Sequence, residues 1–330
     1  MNPKAGTKLF TRRELLRSST PVLGGAFLAR FFTGTFTGTP AAYAQQGAAP
    51  ADQLPAFRAQ LGALPIETVK LGANLIMLSG PGGNVVLLFG PDGKIAVDGF
   101  VKPAWERLKQ IIDGTSNAPL KLLIDTHWHW DHTDNNAAFH GAGAGILAHE
   151  NTKKRLTESH AFMGMRFSPA PADALPTQTF KDTHRLQANG ETLELGYIPP
   201  AHTDTDIYVR YQKADVLHCG DVFFNHAYPF IDAQTGGSIN GMIAGAEKLL
   251  KMADNNTKIV PGHGPLGDKA ALTKYHEVLV IARDRVQKLK SSGKGIEEVV
   301  AAKPLSEFDA EWGKGFMNPE QFLTVVYNTL

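Results

Sequence analysis

The stretch Thr126-His127-Trp128-His129-Trp130-Asp131-His132 places four potential metal ligands within six residues, directly after the short apolar run Leu122-Leu123-Ile124. That run reads as a buried β-strand, so the ligands fall at a strand end, where a rigid scaffold presents functional side chains. His127 and His129 lie two apart. Extended backbone turns both to one side and sends Trp128 and Trp130 to the other, as core anchors. Asp131 and His132 are adjacent and cannot share a direction along a strand, so the chain must turn there.

Further candidates lie far along the chain, each at a strand end or in a loop: Ala201-His202-Thr203, Cys219-Gly220-Asp221 and Pro261-Gly262-His263-Gly264. Taken in order, the seven residues resemble the ligand pattern of the metallo-β-lactamase superfamily: His-x-His-x-Asp-His, then a lone His, an Asp on a later strand and a final His in a Gly-rich loop. The resemblance runs from about Ile66 to the helix after His263. It implies an α/β (α+β) fold built as a four-layer αββα sandwich. It also implies that His127, His129 and His202 hold a first metal, that Asp131, His132 and His263 hold a second, and that Asp221 bridges them. Imidazoles and carboxylates suit two divalent ions, Zn²⁺ above all, with Fe or Mn as alternatives. Ions about 3.5–4 Å apart share a hydroxide whose pKa falls toward about 7, so no serine or cysteine nucleophile is needed.

Asp221 narrows the resemblance toward glyoxalase II, lactonases, phosphodiesterases and related hydrolases, because β-lactamases of this superfamily usually carry Cys or Ser there. Cys219 reads as a small packed residue inside a strand. One departure stands out: many members have Gly-Gly after the histidine cluster, whereas this chain has Thr133-Asp134-Asn135-Asn136. Asn and Asp also suit turns and helix caps. Asp98 ends a strand and is placed to brace a ligand imidazole. Asn225, His226 and Tyr228 follow Asp221 and either reach the substrate or serve packing. His140, His149, His160, His184, His218 and His276 carry no partner signature and read as structural or solvated.

The chain has 330 residues, 43% of them hydrophobic, enough for a substantial core. Its formal charge is +1, unevenly spread. Residues 1–44 contain Lys4, Lys8, Arg12, Arg13, Arg17 and Arg30 against Glu14, a local +5 that leaves −4 on the remainder. This basic head, the apolar segment Pro21 to Ala29 and the small-x-small triplet Ala42-Tyr43-Ala44 have the layout of an export signal. Thr11-Arg12-Arg13-Glu14-Leu15-Leu16 looks like the twin-arginine signal of bacteria. The resemblance implies cleavage after Ala44, passage through the twin-arginine export machinery, and a periplasmic or secreted product without a stable membrane anchor. Arg30 interrupts the apolar run, which argues against a membrane span. The single cysteine precludes an intramolecular disulfide.

Residues 45–65 read as a linker, with structure beginning near Ile66. Short strands follow at Ile66 to Leu71, Asn74 to Leu78, Val85 to Phe89 and Lys94 to Val97, separated by Gly- and Pro-containing turns. A helix opens near Pro103 with Trp105, Leu108, Ile111 and Ile112 on one face. Strands and helices alternate to Thr157. Residues 158–182 break the rhythm: Phe162, Met163, Met165 and Phe167 sit among prolines, serving core packing, a dimer contact or the wall of a substrate groove. Strands return at Thr192 to Ile198, Ile207 to Tyr211, Val216 to Cys219 and Lys258 to Val260, with helices near Ile239 to Met252 and Lys269 to Leu289. The main domain is placed at 66–291, and residues 292–330 form a helical extension packed on it.

The leading expectation is an exported binuclear hydrolase, with Asp131 in the catalytic set, acting on an ester, lactone, thioester or amide. A slightly acidic mature chain without a basic stripe points to a small-molecule substrate and away from nucleic acid. The alternatives are a mononuclear-iron oxidoreductase like the persulfide dioxygenases, a β-lactamase, and a non-catalytic binding protein on the same fold.

Overall fold

In the computed structural model, residues 52–330 are described. Leu54–Ala63 (α1) is a helix, although its composition reads as linker. Leu54, Phe57 and Leu61 recur at helical spacing and pack on one core cluster, while Pro55 sits at the start of the helix, where its missing N–H costs nothing. The part of the linker before residue 52, and the export signal, lie outside the described residues.

A meander follows: Glu67–Lys70 (β1), Leu75–Gly80 (β2), Gly82–Leu88 (β3) and Lys94–Val97 (β4). Helix Trp105–Thr115 (α2) crosses over to Leu120–Ile124 (β5). Trp130–Thr133 (α3) and Asn136–Gly141 (α4) then lead to Gly145–His149 (β6) and Glu150–Leu156 (α5). The irregular stretch resolves into a hairpin, His160–Phe162 (β7) with Met165–Phe167 (β8), and Gln178–Phe180 (β9). The second half comprises Thr183–Ala188 (β10), Glu191–Tyr197 (β11), Ile207–Tyr211 (β12), Val216–His218 (β13), Ile239–Lys251 (α6), Lys258–Val260 (β14) and Lys269–Ser291 (α7). Ile296–Ala301 (α8), Ser306–Trp312 (α9) and Pro319–Asn328 (α10) complete the chain.

Seven strands form one sheet in the order β1-β2-β3-β4-β5-β6-β9, and five form the other, β10-β11-β12-β13-β14. Strand alternation explains why both sheets are covered on two faces. Leu75, Met77, Val86, Leu88 and Ile124 of the first sheet face Leu193, Leu195, Ile207 and Val209 of the second, making the central layer. Ile76, Leu78, Val85 and Leu87 point the other way, against α1, α2 and Phe139 of α4. Beyond the second sheet, α6, α7 and the C-terminal helices share a cluster with Leu217 and Ile259. The result is the four-layer αββα sandwich that the sequence implied.

Parallel pairing of β4, β5 and β6, and of β13 with β14, brings successive strand C-termini to one edge. The candidate ligands follow such ends, His127 to His132 after β5, His202 after β11, Asp221 after β13 and His263 after β14, and the bracing candidate Asp98 follows β4. Among the described residues, no helix is long and apolar enough to cross a membrane.

The C-terminal helices are part of the main body. Phe322 of α10 is fully buried and stacks on Tyr228 with ring centroids 4.4 Å apart. Phe322→Ala should cost about 3–5 kcal/mol in urea unfolding. It should do so within a single transition; a separate early transition would mean that the tail folds independently.

Candidate metal centre

His127 to His129 leave β5 in extended form, and α3 starts at Trp130 with His129 as its N-cap. This is the turn that adjacent Asp131 and His132 require. The four polar residues after the cluster are all engaged in the scaffold. Thr133 Oγ1 donates to the carbonyls of Trp128 and His129, and Asp134 accepts from Arg58 and from the Lys102 amide. Asn135 Nδ2 donates to the carbonyls of Gly99, Phe100 and Val101, and Asn136 Nδ2 to Asp125. Side chains thus hold the turn that glycines form in many relatives of the pattern.

The sandwich edge assembles two groups whose donor atoms lie within 4.8 Å of one another: His127, His129, His202 and Asp221, and Asp131, His132 and His263. Asp221 faces both. Its Oδ1 is 3.2 Å from His132 Nε2, and its Oδ2 is 3.4 Å from both His202 Nε2 and His263 Nε2 and 3.9 Å from His127 Nε2. Asp131 Oδ2 lies 3.2 Å from His263 Nε2 and 3.7 Å from His132 Nε2. All seven residues singled out in the sequence meet here.

The other nitrogen of His127, His129, His132 and His202 is held from behind, that of His127 by Thr126 Oγ1 at 3.1 Å, which fixes ring orientation. His132 Nδ1 is 2.8 Å from Asp98 Oδ2, and Asp98 also accepts from the amide and hydroxyl of Thr126. Asp98 therefore braces His132, as its position in the sequence suggested, and adopts a left-handed φ of 64° to do so. His202 Nδ1 donates to the Phe230 carbonyl at 2.7 Å, and His129 Nε2 lies 3.2 Å from Asp232 Oδ2. Asn84 donates from its amide to Gly262 and from its side chain to Pro261 and Gly264, tying β3 to the His263 loop. His218, read as structural, joins the same network, its Nε2 3.1 Å from the Asn84 carbonyl. Phe230, Asp232 and Asn84 went unnoticed in the sequence, since nothing local marks them.

Asn225, His226 and Tyr228 serve loop and tail. Asn225 Nδ2 donates to Pro265, His226 Nδ1 pairs with Glu311, and the Tyr228 hydroxyl donates to Asp309. Backbone contacts shape the centre as well: a Cβ on Gly83 would overlap the His132 ring, and one on Gly262 would overlap Asp221 Oδ1. Cys219 is buried and free, as expected of a packed thiol.

The electrostatics favour positive charge at the centre. Burial opposes protonation of His132 and His263. Asp221 and Asp98 nevertheless raise His132 well above the usual imidazole range, and Asp221 and Asp131 raise His263 to about 9. Burial depresses His127 strongly and takes His202 to about 4. Burial would also keep Asp221 neutral, but the surrounding imidazoles, His263 foremost, hold its carboxyl well below the ordinary value. His127 Nε2, His132 Nε2 and Asp221 Oδ1 are buried and make no hydrogen bond despite their proximity. Lone pairs aimed at a common point without hydrogen-bond geometry suit ligation, and the residues fit divalent ions.

The family model described as Metallo-beta-lactamase superfamily matches residues 78–263. Uncharacterized proteins of Mycobacterium tuberculosis and Mycobacterium bovis are 27% identical over 169 residues, covering 48% of this chain and 74% of theirs. A hydroxyacylglutathione hydrolase of a Polaromonas species is 28% identical over 159 residues, covering 47% of this chain and 52% of that protein. Among solved structures, the metallo-beta-lactamase from Pontibacter korlensis superposes with a TM-score of 0.55 at 19% identity, covering 65% of this chain and 99% of its own. The DIM-1 metallo-beta-lactamase gives 0.54 at 20%, covering 66% and 99%.

Two predictions follow from this geometry. Gly83→Ala, which leaves the backbone unstrained but displaces His132, should lower bound metal per chain while far-ultraviolet circular dichroism stays unchanged; full occupancy would show that the ring has room to shift. At neutral pH, ions binding to the metal-free protein must displace the protons on His132 and His263. Uptake should release roughly one to two protons per chain, seen as heats that vary with buffer ionisation enthalpy in titration calorimetry. Because the His263 pKa is raised to about 9, the His263 share of the release should be lost as the pH passes above that value.

Proposed function

The chain belongs to the metallo-beta-lactamase superfamily, and on that premise we propose that it is a metal-dependent hydrolase of a small carbonyl compound: an ester, lactone, thioester or amide. The placement of Asp221 between two complete ligand groups carries this reading. His127, His129 and His202 would hold one divalent ion and Asp131, His132 and His263 a second, with Asp221 serving both and zinc the favoured metal. When bound, such ions supply Lewis acidity and lower the pKa of a coordinated water toward about 7. The name of the Polaromonas relative, a hydroxyacylglutathione hydrolase, supports a carbonyl substrate.

The remaining work falls to the chain. Asp98 and Asp232 fix His132 and His129, so the ligands need little rearrangement during turnover. The neighbouring imidazoles, working against burial, keep Asp221 ionised through the neutral range. Asp131 has the more exposed side chain of the two ligand carboxylates, 15% against 5%, and is the one placed to accept a proton from an attacking water. The twin-arginine-like residues 11–16 and the triplet 42–44 support export before action, in the periplasm or outside the cell, with metal loaded before transit.

Elemental analysis of natively loaded protein, paired with model esters and lactones, tests the proposal. Two equivalents of zinc with hydrolysis are expected; one iron with oxygen consumption on a persulfide would overturn it. Asp221→Ala should remove at least one equivalent of metal and reduce kcat/KM at least about 100-fold, in line with loss of a shared ligand. Unchanged turnover would refute the bridging role.

A further inference from the structure

We infer that the substrate presents an uncharged hydrocarbon or aromatic group beside its scissile bond, held by an aromatic and thioether wall that four ligand-free segments build next to His129 and His202. The inference rests on the hydrolase reading above. Phe230 is the centre of the wall. Its ring lies 5.8 Å from the His129 ring and 5.9 Å from that of His202, and its carbonyl holds His202 Nδ1. Phe316, between α9 and α10, meets Phe230 edge-on at 6.1 Å and Phe57 of α1 at 6.4 Å. Phe316 and Met163 are half-buried, and each packs against both outer hydrophobic clusters, which otherwise lie on opposite sides of the sandwich.

Met163 is an unexpected residue for its place. Met163 and Gly164 are the two central residues of the β7–β8 turn, with φ of 50° and 74°. Two left-handed residues make the tight hairpin turn that Asn-Gly or Gly-Gly normally supplies. A flexible thioether in that position is strained, and such strain is retained where the side chain has work to do. The Gln53 amide donates to the Gly164 carbonyl at 3.1 Å, so the start of α1 is fastened to the turn. Tail and helix thus reach Phe230 through Phe316, and the hairpin is fastened to that helix, although none of these segments supplies a metal ligand.

Chemistry on the flanks agrees. Phe224 stacks on His263 with centroids 5.3 Å apart, and Trp128 stands against His129 at 4.7 Å. Among the described residues, the ion pairs of Asp131 and Asp221 are all with imidazoles. Arg58 and Arg155 are engaged by Asp134 and by Asp204 with Glu158. Neither of these two guanidiniums is left for a substrate carboxylate, whereas an apolar group meets the half-buried rings of Phe230 and Phe316 and the Met163 thioether.

The test uses the full metal-loaded chain with p-nitrophenyl acetate, butyrate and octanoate and the anionic hemisuccinate analogue, and binding of the uncharged fluorophore N-phenyl-1-naphthylamine. kcat/KM should rise at least about tenfold from acetate to octanoate, with the hemisuccinate disfavoured. Phe316→Ala and Met163→Asn should each cut the octanoate-to-acetate ratio at least about fivefold and weaken fluorophore binding. Asn accepts the left-handed turn, so Met163→Asn remains decisive if Phe316→Ala fails to fold. Ester hydrolysis without chain-length preference, or with preference for the hemisuccinate, overturns the wall and leaves the hydrolase reading standing. If a fully loaded protein hydrolyses no ester, lactone, thioester or amide, the hydrolase reading fails, and the fluorophore decides the wall separately: binding lost in both variants supports it, and equal or absent binding overturns it.

Discussion

The Asp221 carboxylate, buried among four imidazole nitrogens at 3.2–3.9 Å, is the constraint to which the rest of the structure answers. A buried carboxylate in a ring of imidazoles is tolerable only with compensating positive charge. Protons on His132 and His263 supply that charge when no ion does, and divalent ions supply it better. The fold bears the geometric demand: two sheets must end at a common edge, with four strand C-termini delivering side chains to one point. Asn84, His218 and Thr205 join the facing loops across that edge, Thr205 Oγ1 by accepting from the Trp128 amide.

How far this could be read from the sequence depended on the range of the interactions involved. The seven ligands were legible because their residue types and order are uncommon, and Asp98 because it ends a strand close to them. Their braces were not. Asp232 and the Phe230 carbonyl reach His129 and His202 across 103 and 28 residues, and no spacing rule announces such contacts. The reading of Thr133 to Asn136 as a substitute for a glycine turn held at the level of backbone chemistry, since each side chain hydrogen-bonds locally or to a helix or loop packed against the turn.

The elements that escaped notice share a weakness of local signal. Helix α1 carries a Pro and a Gly among its ten residues and becomes a helix because Leu54 and Phe57 find a core to enter. Strand β10 alternates exposed and half-buried residues at a sheet edge, with Leu186 its main apolar contribution. Helix α9 spans seven residues, too few to declare a period, and is fixed through buried Trp312. In each case tertiary burial outweighs propensity. In the Met- and Phe-bearing stretch after residue 158, read as serving core packing, a dimer contact or a groove wall, Met165 and Phe167 enter the core, while Met163 stands at the turn and packs against both outer clusters.

The contact between Phe57 and Phe316 joins the two ends of the described chain. A ribosome releases those residues in order, so the two events at this edge are separated in time. His263, the last ligand, has been synthesised while the stretch bearing Phe316 is still to come. A nascent chain therefore possesses its full set of metal donors before it possesses the apolar wall beside them, and the numbering of the polypeptide dictates which can form first.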